Sequence, residues 1–95
     1  VFDLVVALRV TDPTDIPAVK AAVERMRPLV LAEPGCVSWE ALHSTADPAV
    51  FTLVERWETE ALWEAHGELD AIQKVYLPDI LPRVTREVHP STRLG

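Results

Sequence analysis

The chain has 95 residues, enough for one domain spanning 1–95, with 9 basic and 15 acidic residues and a formal charge of −6. That balance excludes a nucleic-acid binder, whose phosphate contacts need clustered positive charge, and a ligand for anionic membranes. Hydrophobic residues make up 48% of the chain, generous for so small a domain, and the excess points to apolar surface shared with another subunit.

Phe2 to Val10 alternates and predicts a strand. Phe2, Leu4, Val6, Leu8 and Val10 share one face; Asp3, Val5, Ala7 and Arg9 share the other. Thr11 to Thr14 is a turn, after which Thr14 or Asp15 can cap a helix with Pro17 in its first turn. Ile16, Val19, Val23, Met26 and Val30 recur at helical spacing. Pro28 has no N–H for the carbonyl of Glu24, which predicts a kink or an early end. Pro34-Gly35 turns the chain.

Cys36 to Ser44 reads as a second strand, with Val37, Trp39, Ala41 and His43 on one face. A polar turn over 45–49 leads into a third strand, Val50 to Glu58, so the two form a hairpin. Phe51, Leu53, Glu55 and Trp57 share a face of that third strand, placing an acid among large apolar side chains. Thr59 is placed to cap a helix through Ala61, Leu62, Ala65 and His66. Gly67 breaks or bends it, Leu69, Ile72, Val75 and Tyr76 continue a helical stripe, and Pro78 and Pro82 stop it. Val84 to His89 alternates as a fourth strand.

The order β-α-β-β-α-β predicts an α+β, ferredoxin-like fold: a four-stranded antiparallel sheet with helices on one face. Val5, Ala7, Leu42, Val50, Val54 and Thr85 are candidates for the other face, which is too apolar to be left to water. A second copy of the sheet is the expected cover, giving a homodimeric α/β barrel through the open sheet face. The alternative is that these are isolated surface apolars.

Cys36 is the only cysteine, so no intrachain disulfide forms, and a reducing compartment fits. No apolar run approaches the ~18 residues of a membrane span, and no basic-then-apolar signal segment opens the chain. The expectation is a cytoplasmic protein. The histidines at 43, 66 and 89 show no metal spacing.

Several short runs, in this order and spacing, resemble the antibiotic biosynthesis monooxygenase (ABM) domain. They are EPGC from Glu33 to Cys36, Trp39 with Glu40, the turn ending in Asp47-Pro48, ERW from Glu55 to Trp57, and Ala65-His66. The resemblance covers about Phe2 to His89 and implies a dimeric α+β barrel. It also implies oxygenation of phenolic, anthrone or quinol substrates by O₂ without metal, flavin or nicotinamide, as several members of that family do. Other members degrade haem with a helical His as iron ligand and an Asn near the first strand. This chain has no Asn, and Tyr76 stands where that His would align, so the resemblance implies no haem here.

For this chemistry His66 is the candidate base, since an imidazole titrates near neutral pH and can accept a phenolic proton. Glu55 is the candidate to orient it, both being expected in the layer between sheet and helices. The alternative is a buried Glu–His hydrogen bond that only satisfies both groups. Trp39 and Trp57 are candidates to stack on a flat aromatic substrate, against an ordinary core role. Tyr76 is a candidate to hold a substrate oxygen at the pocket mouth, and Arg86 to stabilise an anionic intermediate if it faces inward. Phe51 and Leu53 read as core, His43 and His89 as solvated, and Trp63 as a surface or lid residue. Two rival readings remain: a non-catalytic dimeric domain binding a small aromatic molecule, and a cyclase or isomerase on the same scaffold.

Overall fold

Residues 1–95 are described by a computed structural model. The alternating segments form β1 (Phe2–Val10), β2 (Cys36–His43), β3 (Val50–Trp57) and β4 (Val84–Ser91). They make one antiparallel sheet in the order β2-β3-β1-β4. Helix α1 (Ile16–Leu31) carries the chain from β1 past the position β3 later fills, so β1 and β2 end up separated. This is the ferredoxin-like arrangement that the element order predicts.

The apolar stripe of α1 packs on the sheet through Val19, Ala22, Val23, Met26 and Val30, all buried. From the sheet, Leu4, Val6, Leu8 and Val10 of β1 and Phe51, Leu53 and Trp57 of β3 meet it. Pro28 neither stops nor shortens α1, which continues to Leu31. It sits close enough to the C-terminus that few turns depend on the donor it lacks. The cap also differs from expectation. Asp12 accepts from the Thr14 N–H (3.0 Å) and hydroxyl (2.8 Å), forming the short 3₁₀ turn Pro13–Asp15 that leads into α1. Neither Thr14 nor Asp15 caps α1 with its side chain.

Helix α2 (Glu60–His66) starts at Thr59, whose hydroxyl accepts from the Leu62 N–H at 3.1 Å. It ends at Gly67. The following stripe is wound as a π-helix, Ala71–Ile80, not as the α-helix its spacing predicts. Pro78 lies inside this segment, and a 3₁₀ turn, Leu81–Arg83, contains Pro82 and hands the chain to β4. No helix is long and apolar enough to cross a membrane.

All helices lie on one face of the sheet. On the other, Val5 stands opposite Val54, and Ala7 opposite Thr52, with Leu42 beside them on β2. Val5, Ala7, Val50 and Val54 are only half-buried by their neighbours, and Leu42 is 56% exposed.

Two tight features shape the β2 end of the sheet. A bulge interrupts the β2–β3 register between Cys36 and Ser38. Just before it, Gly35 has φ of +82° and lies against α2, where a Cβ would fall 2.5 Å from Leu62 Cδ1. Its carbonyl accepts from the Glu58 N–H at 2.8 Å. Gly35→Ala therefore combines a left-handed backbone with a clash and is expected to cost about 2 kcal/mol or more. For a domain of this size that is about 10 °C in Tm. A thermal melt followed by circular dichroism checks it, and an unchanged Tm would refute this account of the turn.

Candidate active site

The inward face of the sheet is not wholly apolar. Strand alternation places Glu55 inward between Leu53 and Trp57, directly opposite Trp39 on β2 and Leu4 on β1. Glu55 and His66 are the two polar residues among the buried set. Both line a cavity of about 390 Å³ between the sheet, α1, α2 and the π-helix, open to solvent on one side. Val6, Met26, Leu53 and Ile72 supply apolar wall, and Trp39, Trp63 and Tyr76 supply rings. Its size and mostly apolar lining with a few convergent polar groups are those of a small-molecule site.

His66 is the last residue of α2, and Gly67 ends the helix there. Its Nδ1 hydrogen-bonds Glu33 Oε1 in the turn after α1, with side-chain exposures of only 6% and 7%. A carboxylate accepts, so Nδ1 donates, and Nε2 is left as the ring's basic nitrogen. The expected partner, Glu55, does not make this bond. Its Oε1 instead accepts from the Trp57 indole N–H at 3.0 Å. The reason is position: α2 lies against the turn that leads into β2, with Leu62 on Gly35 and His66 beside Glu33.

Burial pushes the Glu55 carboxyl above its ordinary 4.5, against the Trp57 hydrogen bond and the nearby imidazole, which favour its charged form. The Trp39 indole nitrogen points toward the same carboxyl but falls outside hydrogen-bond geometry, and it is left buried without a partner. The site thus holds one acid whose pKa burial raises, one imidazole backed by a carboxylate, and one buried indole N–H without a hydrogen-bond partner.

At the other side of the cavity, Arg86 faces inward from β4. Its Nη1 donates to the Tyr76 hydroxyl at 3.2 Å, and its guanidinium lies 5.6 Å from the centre of the Tyr76 ring.

Of the side chains that the sequence singles out, Glu55, His66, Trp39, Tyr76 and Arg86 meet around one cavity. Trp57 does not line it. It is fully buried behind the wall, with its N–H committed to Glu55 and its ring 4.8 Å from that of His66. Trp63 is part of the wall and not simply a surface residue; it packs on Phe2 at 5.2 Å. Leu53 is both core and lining. His43 and His89 lie away from the cavity: His43 stacks on Phe51 and contacts the Pro48 carbonyl, and His89 sits beside Glu87. No three His, Cys, Asp or Glu side chains converge closely enough to ligate a metal ion.

Glu33 is the residue that the sequence leaves without a role. It stands in the EPGC run, and the signal that marks it is an acid immediately before a Pro-Gly turn that leads into a buried strand.

Residues 4–76 match the family model described as antibiotic biosynthesis monooxygenase. Among solved structures, one of an antibiotic biosynthesis monooxygenase is similar over 98% of this chain and 99% of its own, with a TM-score of 0.85 and 19% identity. A conserved protein from Bacteroides thetaiotaomicron, described as a possible oxidoreductase, is similar over 95% and 94%, with a TM-score of 0.85 and 21% identity. A protein from Shewanella oneidensis is similar over 95% and 90%, with a TM-score of 0.78 and 26% identity. No curated protein matches the chain.

The raised acid makes a pH prediction. Folded Glu55 binds its proton more tightly than the unfolded chain does, so stability falls as pH rises from about 4.5 through the native value. Glu55→Gln removes that dependence. Denaturant melts across a pH series should show the wild type losing stability relative to Glu55→Gln as pH rises. Parallel curves would contradict the assignment.

Proposed function

This chain belongs to the antibiotic biosynthesis monooxygenase family, and from that premise we propose that it is a cofactor-independent monooxygenase oxidising a small aromatic phenol, anthrone or quinol with O₂. The observation that supports this reading is the His66 imidazole on the wall of an apolar cavity, its Nδ1 held by Glu33 and its Nε2 unclaimed by any other residue.

Taking an anthrone as substrate, the steps balance as follows. Nε2 of His66 removes a proton from the ring CH₂, leaving a carbanion whose charge is delocalised through the flanking aromatic rings onto the carbonyl across the central ring. The carbanion passes one electron to O₂, giving a substrate radical and superoxide. These recombine at the same carbon, and the resulting peroxide anion takes back the proton from His66. Loss of the second C–H proton to His66, with departure of hydroxide from the O–O bond, forms the new carbonyl and water. Substrate plus O₂ thus gives quinone plus H₂O.

Glu55 takes a different part in this scheme from orienting the base. Burial raises its pKa, which suits it to hand a proton to the departing hydroxide, the His66 imidazolium then returning the second C–H proton to the Glu55 carboxylate. Glu33 is the group that orients the imidazole. Trp39 and Trp63 hold the flat ring, and the apolar wall keeps the radical pair together until it recombines.

The rival, a non-catalytic aromatic-binding domain, is favoured by one observation: Glu33 Oε1 and His66 Nδ1 already pair in a buried setting without any substrate. Oxygen uptake separates the two. With anthrone or a naphthohydroquinone, the wild type should consume O₂, and His66→Ala should lose about 10²–10⁴-fold in rate while remaining folded. No enzyme-dependent uptake across such a panel would sink the oxygenase reading.

The proposal includes a homodimer through the open sheet face. Its support is the one-sided placement of the helices and the apolar band of Val5, Val54 and Leu42. A charge pair of substitutions there, Leu42→Lys with Val54→Lys, should shift the protein to a monomer in sedimentation velocity. A monomeric wild type would refute the dimer.

A further inference from the structure

Arg86 is set apart from the other arginines of an acidic chain. Arg9, Arg25, Arg56, Arg83 and Arg93 each lie within 2.8–3.7 Å of an aspartate. Arg86 has no carboxylate partner, although it lines the cavity; Arg27, the other unpaired arginine, does not line it. The one hydrogen bond that Arg86 makes is to Tyr76, whose hydroxyl accepts from it and so keeps its own proton free to donate. Two donors therefore converge at this side of the cavity with no protein anion to receive them.

The sheet register places this pair far from the buried acid. Arg86 stands opposite Leu8, and Glu55 opposite Leu4, on the two strands that flank β1. At about 3.4 Å per residue, Leu4 and Leu8 are about 14 Å apart along the strand, and β3 and β4 are about 10 Å apart across it. Val6 and its neighbours Leu53 and Val88 form the apolar floor between them. The cavity lining spans this diagonal, from Trp39 and Glu55, both buried, to Arg86, which is exposed. A cavity of about 150 Å³ holds benzene, so 390 Å³ suits about two or three fused rings.

We propose that the substrate is an aromatic carboxylic acid of two or three fused rings, its carboxylate held by Arg86 and Tyr76 and its far oxygen at Trp39 and Glu55. This rests on the reading of the cavity as the substrate site, not on the oxygen chemistry. Charge makes a dedicated anchor necessary. The protein's net charge of −6 repels anions at long range, and Glu64 adds a carboxylate to the cavity lining. A planar guanidinium beside a phenolic O–H offsets this locally and matches the two oxygens of a carboxylate. The Trp39 N–H, buried and unpartnered, supplies the donor that a substrate carbonyl or hydroxyl would find at the buried end.

Binding of two oxidised, product-like probes tests this without turnover. Anthraquinone-2-carboxylate and anthraquinone-2-carboxamide are titrated into the intact protein, followed by quenching of tryptophan fluorescence. The acid should bind at least about tenfold tighter than the amide. Arg86→Gln should reduce it to the amide's affinity, and Arg86→Lys should keep part of the preference. Equal binding of acid and amide, or a preference that survives Arg86→Gln, overturns the inference and leaves the oxygenase reading standing. If neither probe binds, the cavity is not an aromatic site, and the inference falls with it.

Discussion

A hydrogen bond between two buried side chains, Glu33 and His66, holds together the parts on which the site depends. Glu33 lies in the turn that follows α1, and His66 is the last residue of α2. Helix α2 has only 7 residues, too few to be stable by its own backbone bonds. Its orientation over the sheet comes from outside: the Thr59 cap at one end, the Leu62–Gly35 contact along its side, and the His66–Glu33 bond at the other end. Removing either partner would leave a buried polar group unsatisfied, so the bond specifies one placement of the helix. Because the cavity wall includes Trp63, Glu64 and His66, that placement also sets the shape of the site.

The second consequence of this corner is electrostatic. Two carboxyls, Glu33 and Glu55, and the Cys36 thiol are gathered near the β2 edge. Burial pushes the Cys36 thiol up, and both acids push it further, so it stays protonated and is a poor nucleophile. The acids differ in their hydrogen-bond partners. Glu33 accepts from the His66 imidazole, while Glu55 accepts from the Trp57 indole.

Much of this was open to reading in the chain. Period-two alternation in Phe2–Val10 and Val50–Trp57 places the strands, and three- and four-residue steps from Val19 to Val30 place α1, because both periods are direct consequences of backbone geometry. The inward acid follows from the same alternation. What alternation does not reveal is which partner an inward side chain meets from another element. Glu55 and His66 share a layer, yet the bond of His66 goes to Glu33, a residue in a turn with no periodicity to mark its direction. Trp57 is misjudged for a related reason: its face is right, but it sits one row deeper than the cavity reaches. The π winding of Ala71–Ile80 is also invisible, since Leu69, Ile72, Val75 and Tyr76 fit an ordinary helix and only the packed structure distinguishes the two.

The bulge between Cys36 and Ser38 acts beyond the turn it follows. It kinks β2, one border of the sheet, and the other border, β4, contains Pro90, which has no N–H to offer a neighbouring strand. Neither border presents a long, regular row of donors and acceptors on which a fifth strand could be templated. The sheet is therefore poorly suited to growing sideways into an extended ribbon. The dimer proposed above would use the bare face instead, and contact through a face, unlike contact through an edge, is used up once one partner is seated.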